Sequence, residues 1–187
     1  MTELLLNSLN TFYNKDDNYA QLCSLINPKS HISLRLIDWF VTNYAKKHNT
    51  IYLLNRDTKE IVNDTSSGGA IVQINVFQEY KSQLKAFSKK RFDPFCRRER
   101  IMYVCNDTPI NTTLGQLNFF RWVLSTHFIE FVRKNKDIIE SDMNFSLKNT
   151  QETGIKNKNG RKSRQELSKS ALRGLNKNKL SICITFD

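Results

Sequence analysis

The sequence predicts an α+β fold, with a small mixed or antiparallel sheet packed by several helices. Three observations favour this class. With 39% hydrophobic residues in a length of 187, the chain has enough apolar side chains for one well-buried core. Apolar residues recur every three to four positions on both sides of the stretch 51–77, which indicates amphipathic helices. Within that stretch, β-branched residues gather in short runs, which indicates strands.

The composition changes toward the end of the chain, and the change predicts the domain organisation. Residues 1–147 hold most of the periodic segments and are expected to form the globular core. Residues 148–178 are rich in Lys, Asn, Ser and Gly with few large apolar side chains, so we expect a basic flexible segment. Residues 179–187 alternate apolar and polar side chains, which predicts a C-terminal strand that returns to the core.

Two helical regions are predicted before the first strand. Residues 3–26 have apolar side chains at helical spacing and predict one or two short helices lying on the core. The segment from Ser30 to about His48 has an apolar face broad enough for a helix buried between two neighbours. Lys46 and Lys47 suit the C-terminal end of that helix, where the helix dipole is negative.

Strands are predicted where β-branched and apolar residues gather between turn-forming residues. They fall at 51–54, at 70–77 and at 101–105, with a short strand at 61–62. Together with the C-terminal strand near residue 181, they are expected to build one small sheet.

The helix predicted to begin at Phe77 has two contrasting faces. Its aromatic side chains, and the two phenylalanines that follow it, are interpreted as core residues rather than as stacking surfaces for bases. Its lysines recur every fourth residue and predict a row of ammonium groups about 12 Å long on the solvent side. The aromatic residues are Phe77, Tyr80, Phe87, Phe92 and Phe95, and the lysines of the row are Lys81, Lys85 and Lys89.

Two signals for the start of a helix follow. Asp93 before Pro94 predicts a capped single turn ahead of the next strand. Thr113 and Gln116 have the spacing of a capping box. The helix from Thr113 to Lys134 is the most apolar of the chain, so we expect it to be the central core helix.

The net charge of +11 is concentrated in two segments. Residues 77–100 carry +5 and residues 148–179 carry +8, which leaves −2 for the rest of the chain. Such concentration favours a specific surface for a polyanion, since Lys and Arg bind phosphates without reading sequence. Arg97 and Arg98 follow the predicted turn and could reach base edges, although no known DNA-binding or RNA-binding motif is present. The residues predicted to bind nucleic acid are Lys81, Lys85, Lys89, Lys90, Arg91, Arg97, Arg98, Arg100, Arg161, Lys162 and Arg164.

Other chemistry has little support in the sequence. The four cysteines form no CxxC pair, which argues against a zinc ribbon or a disulfide framework and favours buried free thiols. There is no P-loop and no dinucleotide fingerprint, and we expect no cofactor. The minor enzymatic alternative is an Mg²⁺-dependent nuclease that uses Asp64, Glu79 and Lys81. Enzymatic activity is left open, and a non-enzymatic protein is favoured.

The N-terminal sequence lacks the features of a secreted protein. It carries Glu3 where a signal peptide is basic, and its apolar run is only three leucines. No stretch approaches the ~20 apolar residues of a membrane span. We therefore expect an intracellular protein without membrane contact, and the sequence leaves its oligomeric state open.

Four segments carry a resemblance to a known family. They are SLRLIDWFVTNYAKK at 33–47, RFDPFCRRERI at 91–101, TTLGQLNFFRW at 112–122, and RKSRQELSKSALRGLNKNKLSICITFD from Arg161. These segments resemble an uncharacterised protein family of large eukaryotic DNA viruses of the mimivirus and phycodnavirus type. The resemblance covers most of the chain from about His31 onward. It implies a viral protein that works in the cytoplasm of an infected cell or inside a virion, and it implies no catalytic residues.

Charge and resemblance together predict a non-catalytic accessory protein of a large DNA virus that binds DNA or RNA through its basic patches. The alternative is a virion structural or assembly protein whose basic surface binds an acidic viral protein.

Overall fold

The computed structural model describes residues 2–15, 17–64, 69–105 and 108–152, and these residues form an α+β fold as the sequence predicts. The helices are α1 (Thr2–Tyr13), α2 (Asn18–Ile26), α3 (Leu34–Trp39), α4 (Ala45–Lys47), α5 (Val76–Arg91), α6 (Leu114–Thr126), α7 (Phe128–Lys134) and α8 (Lys136–Glu152). The strands are β1 (Ile51–Asn55), β2 (Glu60–Val62), β3 (Ile71–Asn75), β4 (Ile101–Cys105) and β5 (Thr108–Thr112).

The first sheet confirms the strands predicted around residues 51, 61 and 71. Its order is β2-β1-β3, and both pairings are antiparallel. Tyr52 and Leu54 of β1 are buried. Because alternate side chains of a strand point to the same face, these two place one face of the sheet against the core. Tyr52 also donates a hydrogen bond to the carbonyl oxygen of Thr126 at 2.6 Å, which ties the sheet to the end of α6.

The prediction of one sheet is wrong for the strand at 101–105. This strand, β4, pairs in antiparallel fashion with β5, and the two form a separate two-stranded sheet. The physical reason is that β5 begins only three residues after Cys105, so this pairing closes a very short loop and costs little entropy. The sequence did not suggest β5 because Pro109 and Asn111 are residue types that strands rarely contain. The strand predicted near residue 181 lies outside the described residues.

Helix α6 is the centre of the core, as its apolar composition predicts. It is buried on nearly every side, and Tyr13 of α1 donates to the carbonyl oxygen of Leu117 at 2.6 Å. Along the predicted helix 113–134, the side chains of Leu117, Phe120, Leu124, Phe128 and Val132 are buried, whereas that of Phe131 is half-buried.

The helix predicted over 113–134 is divided by His127. This residue adopts φ 54° and ψ 17°, a left-handed conformation that ends α6 and precedes α7. Histidine is one of the few residue types besides glycine that is enriched in this conformation. The break turns the chain within a segment whose apolar pattern alone indicated one continuous helix.

The helix predicted from Ser30 to about His48 begins at Leu34, and it contains one wider turn. Between α3 and α4, residues Phe40–Tyr44 form a π-helical turn, which accommodates one extra residue. Ser33 caps the helix by accepting a hydrogen bond from the amide of Leu36 at 3.1 Å. Lys46 and Lys47 lie in the last turn of the helix, as predicted.

The last described element, α8, runs to Glu152. The basic segment predicted over 148–178 therefore lies mostly outside the described residues, together with the strand predicted over 179–187. Both stay predictions. None of the helices within the described ranges is long and apolar enough to span a membrane.

Candidate nucleic-acid interface

Helix α5 presents four of the lysines predicted to bind phosphates. Asn75 caps its first turn by accepting a hydrogen bond from the amide of Gln78 at 3.1 Å. Val76 and Tyr80 are buried, which turns the opposite side of the helix to solvent. The exposed lysines of α5 are Lys81, Lys85, Lys89 and Lys90.

A kink at Ser88 divides α5. Its backbone has φ 57° and ψ 166°, a combination that is almost restricted to glycine. Lys89 therefore does not continue the helical register of Lys81 and Lys85. The predicted row of three lysines is wrong at its third position, although all three side chains are exposed as expected.

Beyond the kink, the segment 91–97, called here the docked loop, lies against the first turns of α6. Asn118 donates through Nδ2 to the carbonyl oxygen of Arg91 at 2.8 Å. The amide of Asp93 donates to the carbonyl oxygen of Gly115 at 3.2 Å. In both bonds the docked loop contributes a backbone group, so these two contacts do not depend on its own side chains.

Gln116 adds a third connection to the docked loop. The predicted cap is confirmed, since the hydroxyl of Thr113 accepts a hydrogen bond from the Gln116 amide at 3.1 Å. The Gln116 side chain, however, accepts from the hydroxyl of Thr112 at 2.8 Å and donates to the carbonyl oxygen of Pro94 at 2.9 Å. Sequence reasoning missed this role. The available signal was a pair of amides, Gln116 and Asn118, inside the most apolar helix.

Asp93 does not start a helix, and this prediction is wrong. Its carboxylate accepts a hydrogen bond from the amide of Phe95 at 3.1 Å, which is the capping chemistry expected, but the loop then turns away without a helical turn. Instead, Arg97 donates through Nε to one Asp93 oxygen at 3.1 Å and through a terminal nitrogen to the other at 2.8 Å. Two donors on a planar guanidinium make this a geometrically demanding contact.

The arginines of the segment therefore have different roles. Arg97 is held by Asp93 and packs over the Phe95 ring, 4.6 Å from its centroid. Arg91 is half-buried. Arg98 and Arg100 are exposed, and neither forms an ion pair with any acidic residue within the described ranges. Arg161, Lys162 and Arg164 lie outside those ranges.

The aromatic residues divide into two groups. Tyr80 and Phe92 are buried, and each has its ring about 6 Å or less from the ring of Trp122, which confirms the core interpretation for this pair. The other three are only half-buried, and each lies beneath a cation. The pairs are Phe77 with Lys46 at 5.8 Å and with Lys81 at 5.6 Å, Phe87 with Arg121 at 5.9 Å, and Phe95 with Arg97 at 4.6 Å.

These pairs bring two basic residues to the site that sequence reasoning had not included. Lys46 of α4 shares the Phe77 ring with Lys81, so it adds a charge from a second helix. Arg121 of α6 covers Phe87 while donating to the Ser8 hydroxyl at 2.8 Å. Burial lowers the pKa of Arg121. It is thus a packing residue, whereas the exposed Lys46 extends the cationic surface.

The exposed lysines of α5 and of the neighbouring α4 are the candidate interface. We call it the α5 basic surface, and its members are Lys46, Lys81, Lys85, Lys89 and Lys90. Within the described residues, none of these ammonium groups is paired with a carboxylate. An array of uncompensated charges on a helix backed by a packed core can bind phosphates with little rearrangement.

The nuclease alternative rests on Asp64, Glu79 and Lys81. Glu79 and Lys81 lie in the first turns of α5 rather than on a strand. Across residues 2–15, 17–64, 69–105 and 108–152, no three His, Cys, Asp or Glu side chains are grouped so that they could hold a metal ion. Cys105 is buried, while Cys23 and Cys96 are half-buried, and all three are free thiols.

Comparison with known proteins places the chain in a viral context. Residues 1–187 match the model of a family of unknown function, DUF7197. Over 155 residues the chain is 35% identical to the uncharacterized protein L507 of Acanthamoeba polyphaga mimivirus. This alignment covers 79% of the chain and 56% of the mimivirus protein. The chain thus spans about half the length of that relative. No solved structure is significantly similar to it. The resemblance to an uncharacterised family of large DNA viruses is confirmed.

Proposed function

The chain belongs to DUF7197, a family of unknown function, and we propose that it is a non-enzymatic accessory protein that binds DNA or RNA through the α5 basic surface. The observation that carries this proposal is the array of five exposed lysines on α4 and α5 without carboxylate partners among the described residues. Each phosphate that such a lysine neutralises releases condensed counterions, which supplies affinity without reading sequence.

The acidic residues near the array support this proposal. The carboxylate of Asp93 is engaged by Arg97, so it does not oppose the lysines. Glu79 is half-buried in the first turn of α5, where the positive end of the helix dipole favours it. The excess positive charge of the exposed lysines is therefore not offset by these two carboxylates and is open to an external anion. Arg98 and Arg100, both exposed after the docked loop, extend the same excess.

The kinship with a mimivirus protein suggests where this function operates. We propose that the protein acts during infection, in the host cytoplasm or inside the virion, in transcription or genome packaging. Its basic segment 148–178 would add phosphate contacts to those of α5.

Fluorescence anisotropy with labelled DNA and RNA of unrelated sequence tests the proposal. Binding is expected at about 50 mM salt, with a linear loss of log affinity against log salt. The double variant Lys81→Ala/Lys85→Ala is expected to reduce the magnitude of that slope by about 2, because two phosphate contacts are lost. Lys29→Ala/Lys134→Ala is the matched control, since both lysines are exposed and lie outside α4 and α5.

Two results would contradict the proposal. The first is an absence of binding at about 50 mM salt, where phosphate contacts are strongest. The second is an equal loss of affinity in the double variant and in its control, because net charge rather than the α5 basic surface would then explain binding.

A virion structural or assembly role is the second candidate, in which the basic surface binds an acidic protein. One observation favours it. Several large apolar side chains are exposed, among them Met102 and Val104 on β4 and Phe145 on α8. Exposed apolar side chains are common in the centre of protein interfaces and have no use in phosphate binding.

A further inference from the structure

The half-buried phenylalanines of α5 and of the docked loop indicate whether the α5 basic surface binds single-stranded or double-stranded nucleic acid. We propose that its ligand is a duplex held by its phosphates, and that no base of a single strand stacks on these rings. This inference rests on the proposed function, because it concerns the ligand of the same surface.

Proteins that bind single strands offer exposed aromatic faces on which successive bases stack. The aromatic residues near the α5 basic surface do not meet this requirement. Tyr80 and Phe92 are buried in the core. Phe77, Phe87 and Phe95 are half-buried, and a cation already lies over each ring within 6 Å of its centroid. A base that stacked there would have to displace the cation.

Two of these cations are held firmly in place. Arg97, over Phe95, makes two hydrogen bonds with the Asp93 carboxylate, at 3.1 and 2.8 Å. Arg121, over Phe87, has donors 2.8 Å from a serine hydroxyl and 2.7 Å from the side-chain oxygen of Asn118. Uncovering either ring breaks charge-assisted hydrogen bonds, which are stronger than neutral ones.

The third ring, Phe77, is covered by the lysines that the proposal assigns to phosphates. Lys46 lies 5.8 Å and Lys81 5.6 Å from its centroid. A base stacked on Phe77 would compete with both ammonium groups for the same ring. A phosphate, in contrast, can approach these two exposed lysines from the solvent side without moving them off the ring.

The lysine spacing suits a dense row of phosphates. Lys81 and Lys85 are one helical turn apart, which is a rise of about 6 Å. A duplex carries one charge per about 1.7 Å of its axis, twice the density of one strand, so several phosphates fall within reach of this short row. Without stacking, affinity depends on charge density alone, and the duplex is the stronger ligand.

The test compares wild-type binding to a labelled strand of about 20 nucleotides with binding to its duplex, in DNA and in RNA, at one salt concentration. Binding of the duplex is expected to be about tenfold tighter, with a salt slope near −0.9 per phosphate contact against −0.7 for the single strand. The DNA and RNA arms identify which duplex is preferred. Equal or tighter binding of the single strand would overturn the inference.

A second measurement separates stacking from charge, since any cationic surface favours the denser polyanion. Phe77→Leu and Phe95→Leu keep apolar bulk and remove the aromatic ring. Affinity for the single strand is expected to change less than twofold, and thermal unfolding identifies any variant that does not fold. A loss of about fivefold or more for the single strand would demonstrate stacking and contradict the inference. Binding to neither form would instead contradict the proposed function itself.

Discussion

Gln116 donates through Nε2 to the carbonyl oxygen of Pro94 at 2.9 Å, so a buried side chain of α6 holds the loop that follows α5. The same side chain accepts from the hydroxyl of Thr112 at 2.8 Å. Both Gln116 and Thr112 are buried, so water cannot easily replace either bond. One amide in the core therefore helps to position the docked loop, together with the contacts of Asn118 and Gly115.

Gln116→Ala is expected to lower the free energy of unfolding by about 1–3 kcal/mol, because it leaves two buried polar groups without partners. Urea denaturation followed by circular dichroism measures this difference. Gln21→Ala is the matched control, since Gln21 is exposed on α2 and its truncation is expected to change stability by less than about 0.5 kcal/mol. Equal effects of the two substitutions would show that the Pro94 contact contributes nothing.

Ser88→Gly is expected to stabilise the protein by about 1 kcal/mol, because Ser88 adopts a backbone conformation that glycine tolerates without strain. Ser82→Gly provides the control, since Ser82 is exposed in the regular part of α5 and glycine there costs about 0.5–1 kcal/mol. Opposite signs for the two serines are the diagnostic result in thermal or urea unfolding. Destabilisation by both would mean that Ser88 is not strained.

The Ser88 kink illustrates which features the sequence could predict. The burial of Tyr80 and the exposure of Lys81 and Lys85 follow from helical periodicity, which is a local property. The kink is not local. It occurs where the chain must reach α6, and the contacts that hold it, such as the one from Asn118 to Arg91, join residues 27 positions apart. A glycine at position 88 would have indicated the kink, but the residue there is a serine.

The same distinction explains the outcome for the candidate site. The cap at Thr113 was predictable because it joins residues three positions apart. The bond between Arg97 and Asp93 also joins residues close in sequence, but the Asp-Pro pair predicts a helix start and leaves Arg97 free for bases. Lys46 and Arg121 were not predictable, since each joins the site through a phenylalanine at least 31 positions away.

The contacts of Asp142 predict how stability depends on pH. One oxygen accepts from the indole nitrogen of Trp39 at 3.1 Å, and the other contacts the ammonium group of Lys47. Burial by itself raises the pKa of Asp142, but these two hydrogen bonds and the charges of Lys47 and His48 outweigh it, so the pKa is lowered. The charged form is therefore favoured in the folded protein.

A carboxyl group with a lowered folded pKa stabilises the protein above its unfolded value of about 3.9, and this stability is lost as the pH falls through the folded value. Asp142→Asn is expected to lower the free energy of unfolding by about 1–2 kcal/mol at pH 7, with a smaller difference at pH 3. Urea denaturation at pH 7, 5 and 3 measures this. Glu99→Gln is the control, because Glu99 is exposed and lies outside any helix or strand. A difference from wild type that is the same at all three pH values would contradict the role assigned to the charge.

Arg97 and Arg98 are adjacent, yet the structure assigns them different roles, and paired substitutions can separate them. Arg97→Ala is expected to lower the free energy of unfolding by about 1–2 kcal/mol, because it leaves the buried Asp93 carboxylate with the Phe95 amide but without the two donors of Arg97. Arg97→Lys should recover only part of this loss, since an ammonium group cannot reproduce the planar two-donor contact. Urea denaturation measures both.

Arg98→Ala is expected to leave stability within about 0.5 kcal/mol of wild type, because the side chain is exposed and forms no ion pair among the described residues. If Arg98 contacts a phosphate, its loss reduces the magnitude of the salt slope for nucleic-acid binding by about 1. The decisive comparison is anisotropy on proteins shown to be folded at the working temperature. If Arg97→Ala weakened binding as much as Arg98→Ala while leaving stability unchanged, then Arg97 would be a ligand-binding residue and its ion pair with Asp93 would open on binding.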